Sequence, residues 1–438
     1  MGGTQKPTTL TTKLARVAKV AKERPKERFI SLAHLMDEEL LRRAWERTRK
    51  DGATGVDGQT AEAYAANLKE NLEDLHERLR SGGYQAPPVR RVYIEKDDGR
   101  KRPLGIPTVE DKVAQGAVGI LLETVYEQDF LPCSYGFRPK RSAHQALAKL
   151  QDTIVVKPVR WVLDVDIEDF FGTMDHGWLR KMVQHRVKDG ALNRLIGRWL
   201  RAGVLEDGAV KRTDLGTPQG GVISPILANL YLHHVIDLWF EKKVKKGLRK
   251  EAYLFRYADD AVFCFESRRD AEEVLELLRE RLSKFSLKLH PEKTRLIRFG
   301  RWAEEDDGGR PETFHYLGFT HHVGRTRAGK FTVKRRTMVK RLGRAKRHVT
   351  EWCRSNRHLK VGQQQAGLNE ILRGHYGYYG ITGNSDCLGH LYRHVMRTWR
   401  SWLDRRGCRG SMSWTRFREV LQRFPLVRPT IVHAAYAT

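Results

Sequence analysis

Residues 254 to 266 read "LFRYADDAVFCFE". Two runs of strand-forming apolar residues are interrupted by adjacent carboxylates, Asp259 and Asp260. The pattern predicts a tight β-hairpin with the acidic pair at its turn. Adjacent carboxylates repel each other. The pair therefore either marks a solvated turn or is held together by a partner that relieves the repulsion. Two aspartates by themselves do not decide between these readings.

A second acidic strand lies upstream. In "RWVLDVDIEDFF", Trp161, Leu163, Val165 and Ile167 alternate with Val162, Asp164 and Asp166. The period of two puts the acidic residues on one face of a strand. Pairing in an antiparallel sheet can bring Asp166 beside Asp259 although the two are 93 residues apart. Three carboxylates meeting at one place neutralise each other by holding cations, and few, hard oxygen ligands suit Mg2+. Two Mg2+ ions would activate a 3′-hydroxyl and stabilise departing pyrophosphate.

The rest of the chain supplies a scaffold for such a site. Residues 37–50 and 60–80 read as helices, the second with Leu68, Leu72, Leu75 and Leu79 at helical spacing. "VRRVYIEKDDGRKRPLGIPT" alternates as a hairpin with "DDG" at its turn and basic residues on both arms. Helices are predicted over 110–127, from Ser142, from Ser224–Pro225, and over 269–285. The third should bury Leu227, Leu230, Tyr231, His234, Val235 and Leu238. "HPEKTRLIRFG" and "FHYLGFT" read as strands, and from about 335 onward the pattern is helical and basic. Strands and helices mix without regular βαβ alternation, which predicts an α+β fold.

Charge points to the partner. The chain carries a net charge of +28 over 438 residues, with a pI near 10. That excess favours a polyanion. From Arg325 to Thr438 there are 25 Lys or Arg against five Asp or Glu. Within "VKRRTMVKRLGRAKRHV", Lys334, Arg335, Arg336, Lys340, Arg341, Arg344, Lys346 and Arg347 are candidates for binding RNA phosphates, as cations on several sides of one helix. The five cysteines form no C-x-x-C pair, which argues against a zinc module and a disulfide framework. No run approaches a membrane span, so no membrane partner is expected. The expected location is the bacterial cytoplasm, with access to the nucleoid. A monomer, or a dimer through the N-terminal helices, fits equally well.

"YADD", "DIEDFF" and "TPQGGVISPILANLYL" follow one another in the order and spacing of reverse transcriptases. With "RRVYIEKDDGRKRPLGIPTVEDKV", "DFLPCSYGFRPKRSAHQAL", "HPEKTRLIRFG", "YLGFT" and "RGHYGYYGITGN", the chain closely resembles the reverse transcriptase/maturase proteins encoded by group II introns, from about residue 37 to 433. The resemblance implies a right-hand polymerase: an N-terminal helical extension (1–85), fingers and palm (86–325), and a basic helical thumb or maturase domain (326–438). It implies intron RNA, an RNA template with a DNA primer, and dNTPs as partners, with two Mg2+ ions as cofactors.

It also implies residue roles. Asp166 and Asp259 are the principal metal ligands, Asp260 supports them, and Ile167 lends a carbonyl. Phe171 is a steric gate, whose ring excludes a 2′-hydroxyl, unless both Phe170 and Phe171 are core. Lys96 and Arg102 clamp the triphosphate, Gln219 and Gly220 lie over the incoming nucleotide, and Lys293 is a candidate general acid for pyrophosphate. Many family members read "GFFD" where this chain has "DFFG", with Asp169 and Gly172 exchanged. Tyr376, Tyr378 and Tyr379 either stack on RNA or pack as core. Many relatives continue into an HNH-type endonuclease, and "FPLVRPTIVHAAYAT" carries no such constellation, so no DNA-cleaving domain is expected. The function expected is RNA-directed DNA synthesis together with support of intron splicing and retromobility. The alternatives are a domesticated enzyme of DNA repair or phage defence, and a maturase without polymerase activity.

Overall fold

The helix Val109–Tyr126 is apolar nearly all round, and its residues Val113, Ala114, Ala117, Val118, Leu121, Leu122 and Val125 are buried. A helix of that composition belongs in the centre of a domain rather than on its surface. Thr108 starts it by accepting the Asp111 amide hydrogen at 3.1 Å. The computed structural model of the chain describes residues 9–95, 101–206, 209–211, 220–303, 311–326, 328–405 and 412–434. They form two compact units, one from Met1–Ala146 with Val165–Arg295 and one from Leu147–Asp164 with Leu296–Thr438.

In the first unit the central helix packs against Glu38–Arg47, where Gly116 lies close to Ala44. A further helix, Leu10–Glu23, precedes these and was not singled out from the sequence. The helix expected over 60–80 breaks at Asn67 into Ala61–Ala66 and Leu68–Ser81. The basic hairpin is present as Val89–Glu95 paired antiparallel with Lys101–Ile106, in the register Val92↔Leu104 and Ile94↔Arg102. Its turn falls outside the described residues. Val89–Glu95 also pairs in parallel with Val204–Glu206.

The acidic hairpin is Ala252–Tyr257 against Asp260–Phe265, with Tyr257 opposite Asp260. Leu254, Phe255, Val262, Phe263, Cys264 and Phe265 are all buried. A hairpin covered on both faces reads as a continuous apolar run rather than an alternating one, as this sequence does.

The helix Ser224–Leu232 has Pro225 in its first turn, then widens into π-helical turns at His233–Asp237 and Phe240–Val244. The widening shifts the inward face. His233 and Asp237 are buried, whereas His234 and Leu238 are only partly so. Those two had been expected in the buried stripe.

The second unit contains an antiparallel sheet of Phe314–Tyr316, Phe319–Arg325 and Phe331–Thr337. Among the described residues four helices follow, Val339–Ser355, Val361–Tyr379, Ser385–Asp404 and Trp414–Arg423. Their core gathers Val349, Leu368, Leu372, Leu391, Val395, Trp399 and Phe417. Helix was expected from about 335, but the chain stays in strand to Thr337 because "FTVKRRT" alternates with period two. Tyr376 is buried, the Tyr378 hydroxyl donates to the Leu317 carbonyl at 2.9 Å, and the Tyr379 ring lies 5.2 Å from Phe319. The tyrosines pack within the protein, the second of the two roles left open for them. Among the described residues no helix is long and apolar enough to cross a membrane.

Candidate active site

The hairpin turn consists of Ala258 and Asp259, between Tyr257 and Asp260. Ala258 has φ 55°, the positive value a two-residue hairpin turn needs. Asp259 is half-buried and Asp260 exposed. Burial raises the Asp259 carboxyl above its ordinary range. The Asp166 charge raises it further, while Arg102 and Arg256 oppose the shift. Residues from three separated stretches of the chain therefore act on one carboxylate.

Asp166 follows the strand Trp161–Val165. Its carbonyl accepts the His290 amide hydrogen at 2.8 Å, and Glu168 N–H donates to the Lys288 carbonyl at 2.9 Å. Ile167 sits between those two bonds, opposite Leu289. In that kind of antiparallel pair, the residue's own N–H and C=O face away from the partner strand. The Ile167 carbonyl therefore points away from Leu289. Lys293 Nζ meets Asp166 Oδ2 at 3.0 Å, with both side chains part-exposed.

The donor set is oxygen only, and two carboxylates there interact unfavourably when both are ionised. A hard divalent cation fits such a set and would relieve the repulsion. Among the described residues, no three His, Cys, Asp or Glu side chains close to metal-binding distance. Asp166 is turned to Lys293.

The turn is braced from behind by groups the sequence reading did not identify. Arg256 lies one residue before Tyr257 and is 0% exposed. Its guanidinium donates to both Asp237 carboxylate oxygens, at 2.7 and 2.6 Å. It also donates to Asn229 Oδ1 at 3.1 Å, Ser134 Oγ at 2.7 Å and the Ala258 carbonyl at 2.9 Å. Burial pushes Asp237 upward, but Arg256 outweighs that and holds it below its ordinary range. The backbone adds a second brace: Arg256 N–H donates to the Cys133 carbonyl, and Tyr135 N–H to the Arg256 carbonyl, both at 2.8 Å. Gly136 is packed so tightly on the turn that a Cβ would lie 3.0 Å from the Tyr257 carbonyl carbon and overlap the Ala258 nitrogen. The signal available in the sequence was a lone cation inside an apolar strand.

Of the other expected site residues, Phe171 is half-buried and edge-on to the fully buried Phe170, with ring centroids 5.2 Å apart. Phe170 is thus the core member of the pair. The exchanged Asp169 and Gly172 are coupled: Asp169 takes φ 40°, and a Cβ at 172 would lie 2.7 Å from the Asp169 carboxyl carbon. With aspartate at 169, only glycine leaves it room.

Gly220 has φ 113°, and a Cβ there would sit 2.6 Å from the Gly105 carbonyl oxygen. Its contact with the basic hairpin is backbone to backbone. Nearby, the buried Asp111 accepts from the Tyr84 hydroxyl at 2.5 Å, Trp199 Nε1 at 2.6 Å and Gln115 Nε2 at 2.9 Å, and Gln115 Oε1 accepts the Ile223 amide hydrogen. Burial pushes Asp111 up to about 6. Lys96 and Gln219 lie outside the described residues.

The basic candidates lie in the second unit and need two corrections. Lys334, Arg335 and Arg336 are on the strand Phe331–Thr337, not on a helix. Alternation turns Lys334 and Arg336 outward, but Arg335 is 4% exposed and bonds Gln151 Oε1 at 2.6 Å. A buried guanidinium cannot reach an RNA backbone, so Arg335 leaves the set. On Val339–Ser355, Lys340, Arg341, Arg344 and Arg347 are exposed, opposite buried Val349 and Cys353, and Lys346 is half-buried. Their spacing places the four on one broad face rather than on several sides.

Residues 94–321 match the family described as reverse transcriptase (RNA-dependent DNA polymerase), and residues 342–420 match the group II intron maturase-specific domain. The chain is 39% identical over 202 residues to Protein YkfC of Escherichia coli, covering 45% of this chain and 53% of that one. It is 37% identical over 237 residues to the group II intron-encoded protein LtrA of Lactococcus lactis, covering 53% and 39%. A plant relative, nuclear intron maturase 4 of Arabidopsis thaliana, is 28% identical over 163 residues, covering 37% and 20%. The chain spans about half the length, or less, of these curated relatives.

Proposed function

The chain belongs to the reverse transcriptases, in the group II intron maturase type, and from that premise we propose that it copies RNA into DNA and binds intron RNA to promote splicing and retromobility. The observation that carries the polymerase reading is the match of residues 94–321, which span Arg102, Asp166 and the braced Asp259 turn, to the reverse transcriptase family.

In this reading, 86–325 supplies fingers and palm and 326–438 the thumb. Asp166, Asp259, Asp260 and the Ile167 carbonyl would hold Mg2+. Bound there, the ions would supply the charge that activates a 3′-hydroxyl and stabilises the leaving pyrophosphate. Arg102 is exposed on Lys101–Ile106, where its guanidinium suits a triphosphate. Phe171 narrows the sugar site and favours deoxynucleotides. Lys293 already has a seat beside Asp166, from which its ammonium can give a proton to pyrophosphate. Lys334, Arg336, Lys340, Arg341, Arg344 and Arg347 offer phosphate contacts to RNA.

Primer extension on an RNA template with Mg2+, run with dNTPs and then with rNTPs, tests this reading. Asp259→Ala should lower extension by about 10^3-fold or more, since a lost metal carboxylate removes several kcal/mol of stabilisation. Phe171→Ala should admit ribonucleotides more readily. Full extension by Asp259→Ala would refute the site.

A further inference from the structure

Beside the acidic turn the chain holds a large aromatic ring out in solvent. Phe137 is 53% exposed, and its backbone sits at φ 53°. Bulky L-residues avoid that region, and a chain needing only a turn there would use glycine or asparagine. A strained backbone that persists is one its surroundings over-determine, and such positions cluster at functional sites.

The surroundings of Phe137 do over-determine it. On one side, Gly136 abuts Tyr257 and Ala258, and its carbonyl accepts from Asn229 Nδ2 at 2.6 Å. On the other, the buried Arg138 donates to both Glu127 oxygens at 3.0 and 2.7 Å, and to the Leu131 and Ser134 carbonyls at 2.8 Å. Both flanks are clamped into the core, which holds the Phe137 backbone where its ring is exposed. Its aromatic neighbour is the half-exposed Tyr257, 6.4 Å away between centroids and tilted by 42°. Tyr257 pairs directly with Asp260 across the hairpin.

We propose that Phe137, with Tyr257 beside it, is a stacking platform for the terminal nucleotide of the DNA strand being extended. The proposal rests on the polymerase reading above, because that reading brings the strand's 3′-end to Asp259 and Asp260. The platform lies next to that point and presents a flat apolar face on a clamped backbone. Stacking on such a face tolerates any base, because every base has a π-face, as an enzyme that copies arbitrary sequence requires. Rigid support lowers the ordering cost of binding.

The test uses the full chain and an RNA template annealed to a DNA primer that carries 2-aminopurine as its 3′-terminal base, without dNTPs. Wild-type protein should quench the probe, and Phe137→Tyr should do the same. Phe137→Asn should leave the probe bright and weaken duplex binding by roughly 5- to 150-fold, the usual worth of one base–aromatic stack. Asparagine tolerates positive φ, so this variant should melt at or above the wild-type temperature. Moving the probe to a template base five nucleotides away should abolish the difference between the variants. Equal quenching and affinity in Phe137→Asn would overturn the platform while leaving the polymerase reading intact. So would a lower melting temperature without a binding change, which would make the ring structural. Wild-type protein that fails to bind the duplex at all would overturn both.

Discussion

Asp237→Asn should show whether the acidic turn is held by the buried ion pair beneath it. The substitution keeps the shape of the side chain but leaves the fully buried Arg256 without its countercharge. Stranding one member of a buried pair costs about 3–5 kcal/mol. For a domain of this size that corresponds to a melting temperature lower by on the order of 10 °C. The effect has a pH signature. Arg256 holds the Asp237 carboxyl below its ordinary range, so the stability it contributes is complete above the unfolded value. That stability is lost as pH falls through the lower, folded value. The gap between wild type and Asp237→Asn should therefore persist at neutral pH and close below about pH 4.

The paired replacement Arg256→Met with Asp237→Leu separates folding from positioning. Removing both charges relieves the stranded one, so the double variant should be more stable than Asp237→Asn by about 1–3 kcal/mol. It still lacks the donor to the Ala258 carbonyl, made at 2.9 Å in the wild type. A hydrogen bond from a charged group is worth about 1.5–3 kcal/mol, so extension should stay about 10- to 150-fold below wild type. Urea unfolding and primer extension across a Mg2+ titration read the two effects apart. A double variant that extends primers at the wild-type rate would show that the turn holds its shape without Arg256.

Three further outcomes follow from the packing. Gly172→Ala should destabilise by about 1–3 kcal/mol by overlapping the Asp169 carboxylate, and Asp169→Gly in the same chain should remove most of that cost; additive effects in a double-mutant cycle would refute the coupling. Asp111, raised to about 6 by burial, makes the fold lose up to about 3 kcal/mol as pH rises from about 4 to 6, and Asp111→Asn should flatten that slope in urea midpoints. Neutralising Lys340, Arg341, Arg344 and Arg347 should reduce the logarithmic salt slope of RNA binding by up to about 3, and an unchanged slope would make that helix face merely solvated.

What the sequence made legible was local. The acidic hairpin and the basic hairpin follow from short-range pattern, which is settled within a few residues, although the turn falls one residue earlier than expected, at Ala258–Asp259, with Asp260 already in the strand. The brace under the turn was not legible, for two reasons. Arg256 and Asp237 lie 19 residues apart on different elements, so no single periodic pattern contains both. The helix also widens into π-helical turns at His233–Asp237, where burial no longer follows the 3.6-residue period: His233 and Asp237 are buried while His234 and Leu238 are only partly so. The same limit explains Arg335: in a run of cations, charge alone suggests solvent, and only the strand period shows that one of three neighbours must point inward. A cation at an inward position of an apolar strand carries its own demand, because burying it alone is prohibitive. Arg256 in "LFRYADD" thus requires a buried acidic partner somewhere in the fold, and the partner most useful to the turn is one anchored on a rigid helix, where Asp237 stands.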